Sequence, residues 1–131
     1  MADHNDFGKI AEDLAVDFLV KAKYKILFRN FRYLKAEVDI IAEFENQIII
    51  VEVKARHTDA FLEPQEAVNK KKIKLLISAA NYFIEENNID KEVRFDIISV
   101  LPNKQKTLQI HHIIDAFQSF EIWFCRLKDD R

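Results

Sequence analysis

Apolar residues recur near the start of the chain at Phe7, Ile10, Ala11, Leu14, Phe18 and Ala22, the three- and four-residue spacing of one helix face. This predicts a first helix over 7–22. Between Lys25 and Tyr33 the chain is rich in aromatics (Phe28, Phe31, Tyr33), with Arg29-Asn30 as an interruption, which suggests a bent strand at a sheet edge. From Glu37 to Phe44 the period changes to two, with Val38, Ile40, Ala42 and Phe44 on one face. Gln47 to Lys54 follows almost at once, carrying the unbroken run Ile48-Ile49-Ile50-Val51. A half-exposed strand alternates with polar residues, so an unbroken run indicates burial on both faces. Pro64 and Asn69 then punctuate the chain before Ile73, Leu76, Ile77, Ala80, Phe83 and Ile84 return to helical spacing, with Asn69 as the N-cap and an end near Asn87-Asn88. Val93–Leu101 and Thr107–His112 read as two further strands around a turn at Pro102-Asn103, and Ile113–Phe120 as a short last helix. The expected fold is α/β, a mixed sheet flanked by helices in the order α-β-β-β-α-β-β-α.

With one glycine and two prolines the chain holds no linker, repeat or low-complexity stretch. Its 131 residues, 49% of them hydrophobic, suit one domain over 1–131, with a core at about 7–117 and a C-terminal extension over 118–131. No apolar run approaches the roughly 18 residues that span a bilayer. The opening residues lack the basic-then-apolar order of a signal peptide, and a lone Cys125 cannot close an internal disulfide. A cytoplasmic protein without membrane contact is expected.

A net charge of −2 argues against coating nucleic acid by bulk electrostatics. The charges are unevenly placed, however. Lys21, Lys23, Lys25, Arg29, Arg32 and Lys35 fall in a stretch without acidic residues, and Lys70, Lys71, Lys72 and Lys74 form a second basic group. Each is either a phosphate-binding patch or a solvated face.

Joining the two central strands through a Glu45-Asn46 turn sets Phe44 against Gln47, and every opposed pair then sums to 91. Asp39 faces Glu52, Glu37 faces Lys54, and all four side chains share one face at period two. Opposed Cβ atoms lie roughly 4.5–5.5 Å apart, where two like charges repel. A divalent cation, the ammonium of Lys54, or exposure at an edge would each offset that repulsion. Mg²⁺ takes one or two carboxylates with water and substrate phosphates, and a lysine beside it can stabilise developing negative charge. Such residue types match phosphodiester hydrolysis. On the first helix Glu12 falls away from the charged arc of Lys9, Asp13, Asp17 and Lys21; Gly8 lies one turn earlier on nearly the same line and leaves space beside it. Glu12 is either a fourth member of the site or a partly exposed residue at the edge of an amphipathic helix.

Asp39 followed by Glu52-Val53-Lys54 resembles the Asp…Glu-x-Lys core of PD-(D/E)XK nucleases. The surroundings, Gly8-x-x-Ala11-Glu12, Asn30-Phe31-Arg32, Glu37-Val38-Asp39-Ile40-Ile41, Glu66-Ala67-Val68 and Arg94-Phe95-Asp96, resemble the YraN family of bacterial proteins over about residues 7–117. The resemblance implies a restriction-endonuclease-like fold, related to Holliday-junction resolvases, in which a helical Glu joins the Asp, Glu and Lys. Glu12 occupies that helical position. Family members often carry Gly where this chain has Ala36 and Leu62, so the loops there are expected to differ in shape.

The expected activity is a Mg²⁺- or Mn²⁺-dependent endonuclease on DNA, with branched or flapped DNA suggested by analogy. Asp39, Glu52 and Glu12 would hold the cation and Lys54 would assist the water. Arg32, Arg56, Gln65 and Lys70 are the candidate substrate contacts, and a homodimer would suit a two-fold branched substrate. Two rival readings keep the fold: a nucleic-acid-binding module without turnover, and a protein-interaction module using Trp123 and Phe124. His111 and His112 point to opposite faces of a strand and cannot share a metal. Arg94 and Asp96 share a face and are expected to form a structural pair. Cys125, among Trp123, Phe124 and Leu127, reads as an inert thiol.

Overall fold

The computed structural model describes residues 4–56, 69–102, 104–105 and 107–117. The elements run α1 (His4–Lys21), β1 (Lys25–Tyr33), β2 (Ala36–Phe44), β3 (Gln47–Ala55), α2 (Lys70–Glu86), β4 (Glu92–Pro102) and β5 (Leu108–Ile113). One sheet holds all five strands in the order β1-β2-β3-β4-β5. Neighbours are antiparallel except β3 and β4, which run parallel. A parallel pair cannot be closed by a tight turn, and α2 lies within the crossover that joins them. The α/β class and the order α-β-β-β-α-β-β are as the sequence predicts. The expected last helix over 113–120 is not seen in its described part: Ile113 closes β5 and residues 114–117 form turn and bend. Residues 118–120 and the Trp123-Phe124 segment with Cys125 lie outside the described residues.

The central strand explains the layering. Ile48 and Ile50 pack on one side with Ile73, Leu76, Ile77, Ala80 and Phe83 of α2, while Ile49 and Val51 pack on the other with Ala11, Ala15 and Leu19 of α1. Burying both faces of β3 is what its unbroken apolar run requires. The stripe that α1 buries differs from the predicted one, for Ile10 is 47% exposed and Ala22 is exposed, whereas Ala11, Ala15 and Leu19 are fully buried. Small side chains four residues apart let the helix approach the sheet, and the bulkier Leu14 and Phe18 flank the contact. No helix among the described residues is long and apolar enough to cross a membrane.

Several local features fix the frame around the site. Glu45 and Asn46 have φ of 48° and 65°, the left-handed pair of a two-residue type I′ turn, which locks the β2–β3 register. β1 is the bent edge strand expected, with a register shift between Ile26 and Phe28 and a φ of 53° at Asn30. Asn69 caps α2, its Oδ1 accepting the Lys72 N–H at 2.9 Å.

Across the sheet, the buried Asp96 carboxylate accepts from Arg94 Nε (2.9 Å) and Nη2 (2.7 Å) and from the Asp115 N–H (2.9 Å), and it pairs with His112 Nε2 at 2.7 Å. Arg94 also donates to the Tyr24 hydroxyl at 2.7 Å. Burial alone would raise the Asp96 carboxyl, but His112, Arg94 and the Asp115 N–H together hold it below the ordinary carboxylate range. Arg94 and Asp96 thus form the structural pair expected. His112 belongs to this network, and His111 is exposed.

Candidate active site

The β2–β3 ladder runs from Phe44–Gln47 to Ile40–Val51, in the register that sums to 91. Beyond Ile40 the two strands pair elsewhere. Val38, Glu37 and Ala36 face Phe31, Arg32 and Tyr33 of β1, while Glu52 to Ala55 continue along Ile97 to Val100 of β4. Asp39 and Glu52 therefore occupy the first step past the ladder, at the mouth of a fork. Asp39 Oδ2 accepts the Val53 N–H at 2.8 Å, a donor that a continued ladder would have turned toward β2. A side chain closes the fork in place of the missing backbone bond.

The fork also lets side chains from both faces of the sheet converge. Glu52 and Lys54 follow Ile48 and Ile50 on the α2 side, where Lys54 Nζ and Lys72 Nζ stand 3.4 and 3.5 Å from the same oxygen, Glu52 Oε2. Asp39 instead borders a cleft of about 190 Å³ on the α1 side, lined with Gly8, Glu12, Val53 and Ala55. The expectation that Glu37, Asp39, Glu52 and Lys54 share one face is thus corrected. Glu37 pairs with Arg32 Nη2 at 2.8 Å rather than with Lys54, because the ladder that would have opposed them has already opened.

Electrostatics at the fork are unusual for a structural site. The Glu52 side chain is 5% exposed, and its Oε1 finds no hydrogen-bond partner among the described residues. A bare buried oxygen of this kind carries a full desolvation cost. The Asp39 carboxyl is pushed up to about 7, first by burial, next by the charge of Glu52 and to a smaller degree by Glu12, against the Val53 N–H that lowers it. Two carboxyl groups forced together at the edge of the core, with one buried oxygen unsatisfied, form a site that a hard cation would relieve. The donor set fits Mg²⁺ or Mn²⁺.

Glu12 borders the same cleft but is already engaged: its Oε1 accepts from Asn30 Nδ2 (3.0 Å) and from Arg29 Nη2 (3.2 Å) and Nε (3.3 Å). Arg29 reaches on to Asp13 Oδ1 at 2.7 Å. Among the described residues no group of three His, Cys, Asp or Glu side chains is placed to hold a metal by itself. Any cation held here would therefore draw on the Asp39–Glu52 pair, with Glu12 on the α1 side of the cleft.

The remaining candidates lie around the rim. Arg32 is exposed and paired with Glu37. Arg56 continues the line of β3, its N–H donating to Val100 O at 2.8 Å. Lys70 is exposed at the first residue of α2, and Gln65 lies outside the described residues, as do Leu62 and Glu66-Ala67-Val68. Three contacts went unforeseen in the sequence. Lys72 reaches Glu52, and Arg29 with Asn30 hold Glu12. Lys72 could have been found, for it lies one turn before the buried Leu76.

The described motifs coincide with a known family. The model of "Uncharacterised protein family UPF0102" matches residues 11–100, a span that contains Glu12, Asp39, Glu52, Lys54 and Lys72. The chain belongs to the UPF0102 family. This is the YraN family that its motifs resemble. A UPF0102 protein of Christiangramia forsetii is 51% identical over 120 residues, covering 92% of this chain and 100% of the relative. One of Flavobacterium psychrophilum is 49% identical with the same coverage, and one of Bacteroides fragilis is 45% identical over 117 residues, covering 89% and 96%. UPF0102 membership places the chain among relatives of its own size, and the chemistry rests on the side chains at the fork.

Proposed function

We propose that this UPF0102 protein is a divalent-cation-dependent endonuclease that hydrolyses phosphodiesters in DNA, branched or flapped DNA in particular. The observation that carries the reading is the Asp39–Glu52 pair: a half-buried and a buried carboxyl group in contact, one bare oxygen, and ammonium groups beside them. The Asp…Glu-x-Lys resemblance supports it independently. Asp39 and Glu52 would hold Mg²⁺ or Mn²⁺, with Glu12 contributing from the α1 side of the cleft. When bound there the cation supplies charge that acidifies water and stabilises the phosphoryl oxygens. Lys54, 3.4 Å from Glu52, would orient the attacking water and balance negative charge developing on phosphate. Val53 keeps the Asp39 carboxylate turned into the fork. Arg32, Arg56, Gln65 and Lys70 would grip the backbone around it, with affinity that falls as salt rises. A second copy of the chain would present two such forks to a two-fold branched substrate.

A binding module without turnover is the second reading, favoured by the lack of a third carboxylate free to close a metal cage among the described residues. Titration calorimetry of Mg²⁺ and Mn²⁺ into wild type and Asp39→Ala, beside cleavage assays on duplex, flapped and four-way-junction DNA, separates the two. Loss of both metal binding and cleavage in Asp39→Ala is expected. Metal binding by the wild type without cleavage of any DNA would favour the module, and no metal binding with or without DNA would remove the site altogether.

A further inference from the structure

Glu52 Oε2 faces two ammonium groups while Oε1 faces none, an allotment that a purely structural ion pair does not explain. Two ammonium groups thus attend the one Asp39–Glu52 carboxyl pair, both on the same Glu52 oxygen. Both contacts, at 3.4 and 3.5 Å, are longer than the roughly 2.7–2.9 Å of a charge-assisted hydrogen bond. They are loose pairs. The two lysines also differ in what holds them. Lys54 stands on β3 within the sheet, two residues from Glu52, whereas Lys72 arrives on a flexible stem from the first turn of α2. Its backbone is pinned by the Asn69 cap, and its side chain is 33% exposed against 29% for Lys54, so what distinguishes the two is the element each stands on. That first turn contains no acidic residue, and Lys70, Lys71 and Lys72 all sit at the positive end of the helix dipole, an arrangement that favours an incoming anion.

We propose that Lys72 is an exchangeable counter-ion, which neutralises Glu52 in the metal-free protein and passes to a phosphate oxygen of the nucleic acid when a divalent cation occupies the Asp39–Glu52 pair. This rests on the reading that these carboxylates hold the cation. A divalent ion on Glu52 would put three positive centres around one carboxylate, and the group that yields is the one borne by the first turn of α2 rather than by the strand that carries Glu52 itself. The released ammonium then lies at the edge of the fork, where the backbone of a bound strand must pass. Metal and nucleic acid are coupled through this exchange, each favouring the other by removing Lys72 from Glu52.

The exchange gives Lys72 a signature that a stabilising salt bridge lacks, because its removal moves two affinities in opposite directions. In Lys72→Gln, calorimetry without DNA should show Mn²⁺ binding at least about threefold tighter, since a competing charge is gone. The same variant should bind four-way-junction DNA more weakly, and its log–log salt dependence should be shallower by about one. Lys72→Arg should restore the DNA affinity, and a melting curve close to wild type confirms that the fold is intact. Unchanged or weaker Mn²⁺ binding in Lys72→Gln overturns the exchange while the metal site stands. Unaltered DNA affinity and salt slope overturn it as well. If the wild type takes up no Mn²⁺ even with DNA present, the metal site falls and the exchange falls with it.

Discussion

Replacing Asp39 by Asn should make this protein more stable at neutral and alkaline pH while removing the function proposed for it. The Asp39 carboxyl rises from an ordinary value of 3.8 to about 7 in the fold, with burial as the largest cause and Glu52 the next. A carboxyl whose folded value lies above its unfolded one costs nothing while both states are protonated. The cost grows as pH climbs from about 4 to about 7 and is complete above that. Each pH step of one is about 1.4 kcal/mol, so the full cost approaches about 4 kcal/mol, with relaxation of the fork reducing it to about 2–4. Asn cannot ionise. Its Oδ1 can still accept the Val53 N–H, and its Nδ2 can donate to the neighbouring Glu52 carboxylate. Urea denaturation of both proteins in chelator at pH 4 and pH 8, followed by circular dichroism, should give near-equal stabilities at pH 4 and a clear advantage for Asp39→Asn at pH 8. Added Mg²⁺ should stabilise only the wild type. An Asn variant that is less stable at pH 8, or a difference that does not change with pH, would refute the argument that burial and Glu52 destabilise the ionised Asp39.

Other predictions follow from neighbouring features. Asp96→Asn leaves Arg94 and His112 facing a neutral group in a buried network and should cost about 3–5 kcal/mol in denaturant titrations. Because the Asp96 carboxyl is depressed in the fold, its stabilisation is present above about pH 4 and is lost as pH falls through the lower folded value, so the Asn variant should lack part of the wild type's acid sensitivity. A Cβ at Gly8 would meet no atom within 4 Å, so Gly8→Ala should add about 0.5–1 kcal/mol of helix stability, whereas Gly8→Leu should project into the Asp39 cleft and weaken Mn²⁺ or DNA binding without unfolding. Asn69→Ala removes the acceptor for the Lys72 N–H and should cost about 1 kcal/mol by thermal melting.

What could be read from the chain follows from how local each determinant is. The β2–β3 register was legible because a two-residue turn at Glu45-Asn46 separates two strong strand patterns and fixes which residues oppose. The double burial of β3 was legible from its run of four β-branched residues. The parting of the two strands at Asp39 and Glu52 was not legible, since nothing in those residues states that Val38 prefers Phe31 and Glu52 prefers Ile97; that choice belongs to β1 and β4. Hence the spacing pairs Glu37 with Lys54 where the fold pairs it with Arg32, while Asp39 and Glu52 do meet.

The same distinction explains α1 and α2. Hydrophobic size points to Ile10 as a core residue, yet what the sheet selects is closeness of approach, and Ala11 and Ala15 provide it. That shift of the buried stripe carries Gly8 and Glu12 to the cleft beside Asp39. In α2 three consecutive lysines look alike in composition, and only the rotational setting given by Ile73, Leu76 and Ile77 tells which one turns inward. Lys72 precedes Leu76 by one turn and so reaches Glu52 at 3.5 Å. A charged residue directly before the first buried isoleucine and one turn before a buried leucine thus sits at the edge of the core, and in this chain that side chain belongs to the fork.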